Sequence, residues 1–200
     1  MKLFQLIASM LFAVTISTNS IAAENVTKIS GGAIKTELGY GIVLNKESSL
    51  TREWITVHDS TLPVSIEGTV GVKTIYESGK RYSSGNYRYS TEYTITTKEA
   101  VSAIEVRFLT FDIWGDHKRN LSATEIVDLE GGVSKKFDGQ WKVYSENEVS
   151  EYYASIAYIA QVRTKNGRVI KANPSVVLEQ ARKFSKKFSE GDLEPKPEKK

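Results

Sequence analysis

Residues 87–97 alternate strictly, with Tyr87, Tyr89, Thr91, Tyr93 and Ile95 on one side and Arg88, Ser90, Glu92, Thr94 and Thr96 on the other. A period of two with one apolar side is the pattern of a half-buried antiparallel strand. The same residue types recur in short runs from Tyr40 to about Lys171, punctuated by Gly, Asn, Ser and Asp. They predict strands at 39–44, 53–58, 64–66, 70–77, 87–97, 104–114, 124–129, 140–144, 152–164 and 168–171. Asn166-Gly167, between the last two, is a two-residue hairpin signal. Residues 104–114 break the rule: Ile104, Val106 and Phe108 share one phase, Leu109, Phe111 and Ile113 the other. Such a switch means a bulge or a strand covered on both faces, and the reading favours the bulge.

After Lys171 the period changes from two to 3.6. Asn173 is placed to cap a helix that starts with Pro174, where a missing N–H costs nothing. Val177, Ala181, Phe184 and Phe188 form one apolar stripe with Leu178 beside it, and the basic residues Arg182, Lys183, Lys186 and Lys187 come late, as the helix dipole favours. The helix is expected over 174–189, with Gly191 as its stop, and residues 191–200 are expected to be a disordered charged tail. There is no internal repeat. About ten strands and one terminal helix predict a single all-β sandwich over 24–190, with the helix docked on or beside it.

The first residues follow a different logic. Met1-Lys2 is a short basic start, residues 3–16 are apolar but for Gln5, Ser9 and Thr15, and small residues follow at Ala22 and Ala23. This is the layout of a Sec-type secretory signal peptide over 1–23, cut after Ala22 or Ala23. The apolar run is shorter than the roughly 20 residues that span a bilayer. The expectation is an exported bacterial protein, periplasmic or secreted, and not an integral membrane protein after cleavage.

Composition narrows the chemistry. The chain has 200 residues, 40% hydrophobic and 26% charged, with no cysteine, two histidines and a net charge of +3. Disulfides, thiol nucleophiles and cysteine-held metal centres are excluded. So small and evenly spread a charge gives no argument for nucleic acid.

The stretch Phe108-Leu109-Thr110-Phe111-Asp112 resembles the signature strand of the FxLyD-like domains, with Thr110 at the position usually held by leucine. Gly115 follows as the turn glycine, and Val127-Asp128-Leu129-Glu130-Gly131 fits the family's "xLxxG" corner. The likeness covers about residues 93–163. It implies an immunoglobulin-like antiparallel β-sandwich and an exported location, and no general catalytic residues.

His117 follows Asp112 and Asp116, a set that could hold a divalent metal, but Gly-Asp-His-Lys-Arg-Asn is also ordinary hairpin-tip composition, and the loop reading is preferred. His58-Asp59 is read as a strand end entering a turn. There is no Gly-x-Ser-x-Gly elbow, and neither Gly31-Gly32 nor Gly131-Gly132 continues as a phosphate-binding loop. No catalytic residue, metal site or cofactor is therefore expected. The candidate ligand-binding residues are Tyr76, Tyr82, Tyr87 and Tyr89, around a Gly-, Ser- and Tyr-rich loop at 78–86. Tyrosines there offer rigid amphipathic area for a sugar ring or a peptide. The competing reading makes Tyr87, Tyr89 and Tyr93 the core face of their strand. Trp54, Trp114 and Trp141 are read as core or rim packing, and the basic helix end as a docked helix's outer side. The leading expectation is a non-enzymatic binding or scaffolding module for an envelope protein. A carbohydrate-binding module using the tyrosine loop comes second, and an envelope hydrolase third.

Overall fold

The computed structural model describes residues 27–29, 33–36, 39–42, 52–77 and 86–195. Its strands are β1 (Thr27–Ile29), β2 (Ala33–Thr36), β3 (Gly39–Ile42), β4 (Arg52–Thr56), β5 (Val64–Ile66), β6 (Lys73–Glu77), β7 (Asn86–Thr97), β8 (Val101–Asp112), β9 (His117–Leu129), β10 (Ser134–Val143), β11 (Tyr152–Thr164) and β12 (Val169–Lys171). The helices are α1 (Glu146–Ser150) and α2 (Pro174–Phe184), and a 3-10 turn follows at Glu190–Leu193.

One sheet runs β1-β4-β11-β8-β9, with β12 also on β11, and the other runs β10-β7-β6-β3-β2, with β5 also on β7. All the pairings are antiparallel but that of β4 with β11. The β9–β8–β11–β12 run matches the C′–C–F–G order, and β10 beside β7 the E–B pair, of the immunoglobulin topology. The chain is thus an all-β, immunoglobulin-like sandwich with one main C-terminal helix. Between the sheets lie Tyr89, Tyr93 and Ile95 of β7 and Phe137 of β10, facing Ile104, Val106 and Phe108 of β8 and Ile159 of β11. This is the apolar side read from the alternation in 87–97.

The phase switch in 104–114 is not a bulge in β8. Phe108 pairs with Leu121 and Ala157, and Leu109 with Asn120 and Ile156, so the register is unbroken on both flanks. Phe108 enters the inter-sheet core, while Leu109 and Phe111 enter a second cluster with Val177 and Ala181 of α2. The strand is covered on both faces because the helix lies on the outer face of its sheet. Over 104–112 the irregularities sit in its neighbours. β11 shifts register between Tyr152 and Ala154, so Tyr152 faces the inter-sheet core while Ala154, Ile156 and Tyr158 face the helix.

At α2 the Asn173 side chain accepts the Ser175 N–H at 3.0 Å and Pro174 opens the first turn, as expected. The helix ends at Phe184 and not at 189. Phe188 still reaches the apolar cluster from a turn closed by its N–H on the Ser185 carbonyl. The tail expected to be disordered from 191 stays packed through Leu193, which is buried in the same cluster. Arg107 Nη1 donates to the Leu193 carbonyl at 2.7 Å, its Nε pairs with Glu105 at 2.6 Å, and the Asn120 amide also donates to the Leu193 carbonyl. The Arg107 guanidinium and the Asn120 amide thus strap the segment ending at Leu193 across the sheet. Among the described residues, no helix is long and apolar enough to cross a membrane.

Candidate functional site

One end of the sandwich gathers the turn from β8 to β9, the starts of β4 and β11, helix α1 and the last turn of α2. The chemistry there starts with Asp112, the last residue of β8. Its Oδ1 accepts the N–H groups of Trp114 at 2.9 Å and Asp116 at 2.8 Å, and its Oδ2 pairs with Lys118 Nζ at 2.6 Å. The Asp112 side chain is 0% exposed. Burial pushes its carboxyl up, but the Lys118 ammonium and the two N–H groups outweigh that, and the group lies below the ordinary aspartate range. An aspartate at this strand end thereby fixes the whole turn, which is the physical content of the aromatic–Asp–x–x–Gly pattern in the sequence.

Gly115 completes the turn. Its φ is +82°, and a Cβ there would lie 2.6 Å from the Phe184 carbonyl oxygen, so the turn sits directly on the end of α2. What the fixed turn presents is apolar: Trp114 is 74% exposed and Ile113 42%. Beside them opens a groove of about 410 Å³ lined by Glu53, Ile55, Asp112, Ile113, Trp114, Gly115, Tyr153, Lys183 and Phe184. Tyr153 stands at the β11 register shift, its hydroxyl donates to Glu53 at 2.5 Å, and its ring meets Phe184 edge-on at 6.2 Å. Burial, and then the Glu53 carboxylate, push the Tyr153 phenol up to about 12. The groove therefore has aromatic and aliphatic walls and a few charged groups at its rim, the composition of a site for a partly apolar ligand.

Of the tyrosines singled out in the sequence, Tyr87 and Tyr89 pack toward the core between the sheets. Tyr89 is buried in the core, with its ring 5.5 Å from that of Tyr152 and its hydroxyl donating to the Glu148 carbonyl at 3.3 Å. Tyr87 is half-buried and packs against the same core. Tyr76 pairs with Tyr87 across β6 and β7, and Tyr82 lies outside the described residues. The core-face reading of the strand thus holds for Tyr89, and no ligand reaches it in this packing. Trp54 is buried and Trp141 packs on Phe108 with ring centroids 5.6 Å apart, both as read, but Trp114 is not rim packing. The signal for it was the turn itself: a large apolar residue two positions after a buried aspartate, with a glycine next.

His117 is a packing residue. Its ring lies 5.5 Å from that of Phe111 and 4.9 Å from that of Phe188, and its Nε2 is 3.0 Å from the Arg119 carbonyl. Among the described residues, no group of three or more His, Asp or Glu side chains stands where it could hold a metal ion. His58 lines a hollow of only about 10 Å³, one water's worth of space. Burial lowers its pKa.

No family model and no curated protein matches the chain. Two solved structures are similar in part. A hypothetical protein from Peptoclostridium difficile 630 aligns at 10% identity and a TM-score of 0.43, over 66% of this chain and 95% of its own. A DUF1425 family member from Shewanella sp. pv-4 aligns at 14% identity and a TM-score of 0.27, over 64% of this chain and 94% of its own.

Proposed function

We propose that the chain is a non-enzymatic, exported binding module of the cell envelope that docks a protein partner in the groove beside Trp114. The observation that carries the reading is the fixed exposure of Trp114. A tryptophan left in water costs free energy unless a partner covers it, and here the bonds from the Trp114 and Asp116 N–H groups to Asp112 fix the turn that carries the ring. Tryptophan in a rigid apolar setting, with charged groups at the rim, is the usual anchor of a protein interface. The secretory layout of residues 1–23 and the likeness to the FxLyD-like domains support the envelope setting.

The test places a photo-crosslinking residue at position 114 and, as a control, at Val169 in the full chain, in cells. The expected result is one dominant protein captured from 114 alone. That protein, purified, should bind the wild type and lose at least tenfold in affinity to Trp114→Ala, whose melting temperature should stay unchanged. Equal capture from both positions, or unchanged affinity of Trp114→Ala, overturns the reading. So does retention of a glycan in place of a protein.

A further inference from the structure

We propose that the part of the partner that enters the groove is an acidic segment, with an apolar side chain against Trp114 and carboxylates against Lys186 and Lys187. The inference rests on the reading of the groove as a protein-docking site and names the chemistry that docks there. From Arg182 to Lys187 the chain carries four basic residues and no acid. The helix dipole accounts for only two of them. Helix α2 closes at Phe184 with Arg182 and Lys183 in its last turn, and the pull of the dipole on a charge fades within that turn. Lys186 and Lys187 come after the cap at Ser185, are both exposed, and form no ion pair among the described residues.

The fold carries these two lysines to the groove. Phe184 is one of its walls, and the Gly115 turn rests on the Phe184 carbonyl. Lys187 is three residues further on, so its Cα lies within about 11 Å of that of Phe184. That is close to one Debye length at about 0.1 M salt, near enough for both charges to act across the mouth of the groove.

The acids at this end are committed elsewhere. Asp112 is held by Lys118 and two N–H groups, and Glu53 accepts the Tyr153 hydroxyl. Asp112 first, and then Asp116 and Glu151, favour the charged form of Lys118. The charge left to face a ligand beside Trp114 is therefore positive. A segment that brings carboxylates gains from it and a basic one is repelled, which adds selectivity to the apolar area that Trp114 and Ile113 supply. Because both lysines are solvated, their contribution lies in steering, which speeds encounter by about 10–10³-fold and is screened by salt.

The probe is the protein captured by the crosslinker at position 114. Mass spectrometry of the crosslinked peptide should find two or more Asp or Glu residues close to the crosslink. Lys186→Glu with Lys187→Glu should slow association of that purified protein at least about tenfold at about 0.05 M salt and leave dissociation unchanged. Most of the effect should vanish at about 1 M salt, where the Debye length is about 3 Å. The same change of charge at Lys135→Glu with Lys171→Glu, on β10 of the other sheet and on β12 beside residues 161–163, should slow association less than about threefold. Trp114→Ala should act on dissociation instead, so the two readings fail separately. Unchanged affinity of Trp114→Ala, or no captured protein, ends the docking role and this inference with it. Binding that needs Trp114 but is indifferent to Lys186→Glu with Lys187→Glu overturns the acidic segment alone. A neutral or basic peptide at the crosslink, or equal slowing by the two charge variants, overturns it as well. So does co-sedimentation of the full chain with phosphatidylglycerol vesicles that Lys186→Glu with Lys187→Glu abolishes, which would assign the surface to an anionic membrane.

Discussion

Replacing Asp112 by Asn is the sharpest perturbation of the groove, because it keeps the shape of the side chain and removes only its charge. The aspartate accepts two backbone N–H bonds, from Trp114 and Asp116, and pairs with Lys118. Bonds to an ionised acceptor are worth about 1.5–3 kcal/mol against about 1 for neutral ones, so loss of the charge costs on the order of 0.5–1 kcal/mol at each N–H. The Lys118 side chain is 31% exposed and can turn to water, so its ion pair contributes only about 1 kcal/mol after screening. The total is about 2–3 kcal/mol, or a melting temperature lower by about 4–12 °C for a domain of this size. The dependence on pH gives a second check. Asp112 is held below its unfolded value, so its contribution is present above the unfolded pKa of about 3.9 and is lost as pH falls through the lower folded pKa. Urea titrations of wild type and Asp112→Asn at pH 7 and pH 2 should show the full gap at the first and a narrowed one at the second. A variant within about 0.5 kcal/mol of wild type at pH 7, or an equal gap at both pH values, would refute the account of the turn.

Gly115→Ala and Gly132→Ala share nearly the same positive φ, +82° and +80°, but only the first would bring a Cβ against backbone. Melting curves should place Gly132→Ala about 1 kcal/mol below wild type and Gly115→Ala at least about 2 kcal/mol below it. Arg107→Ala leaves the Glu105 carboxylate on the covered face without its cation, bonded only by Ser122 and Gln161, and takes one donor from the Leu193 carbonyl; it should cost about 3 kcal/mol in urea, whereas Arg107→Met with Glu105→Gln should recover part of that loss. In alkaline titration followed by tyrosinate absorbance, Tyr153, Tyr152 and Tyr158 should ionise near 12 while the chain stays folded. Since their folded values are raised, the stability they contribute is whole below about pH 10 and is lost as pH rises towards 12. Trp114→Ala should leave the melting temperature within about 2 °C of wild type, because the ring it removes is largely in water.

Local signals were readable wherever one interaction decides the conformation. Asn166-Gly167 forms its hairpin with Gly167 at a φ of +89°, and Asn173-Pro174 opens the helix, because both depend on backbone preferences within a few residues. The alternation in 87–97 was readable because β7 has one face on the core. The pattern in 104–114 was misread because the second cover comes from α2, some seventy residues further along the chain, and no local window contains it. The early end of α2 has the same origin: Phe188 keeps its place in the apolar cluster through a turn, and the strap it begins is held by Arg107 and Asn120 from another part of the chain. β1 and β2 fall within residues 24–37, which carry too little periodicity to distinguish a strand from a loose arm.

The groove shows the same division. Asp112 and Gly115 could be read as a turn, and the FxLyD-like pattern does read them so. The walls come from Glu53, Tyr153 and Phe184, contributed by β4, β11 and α2. Tyr153 lines the groove from the point where β11 breaks its alternation to serve two clusters at once, Tyr152 between the sheets and Ala154 under the helix. A residue at a register shift is free of the constraint that fixes its neighbours, and here it supplies the hydroxyl that ties Glu53 to the rim. The helix that makes the second cluster necessary also supplies Phe184, whose carbonyl the Gly115 turn rests against. Covering the outer face of the sheet and building the groove are therefore one structural event. Shortening α2 by its last turn should remove both together, leaving Trp114 exposed on a turn with nothing beneath it.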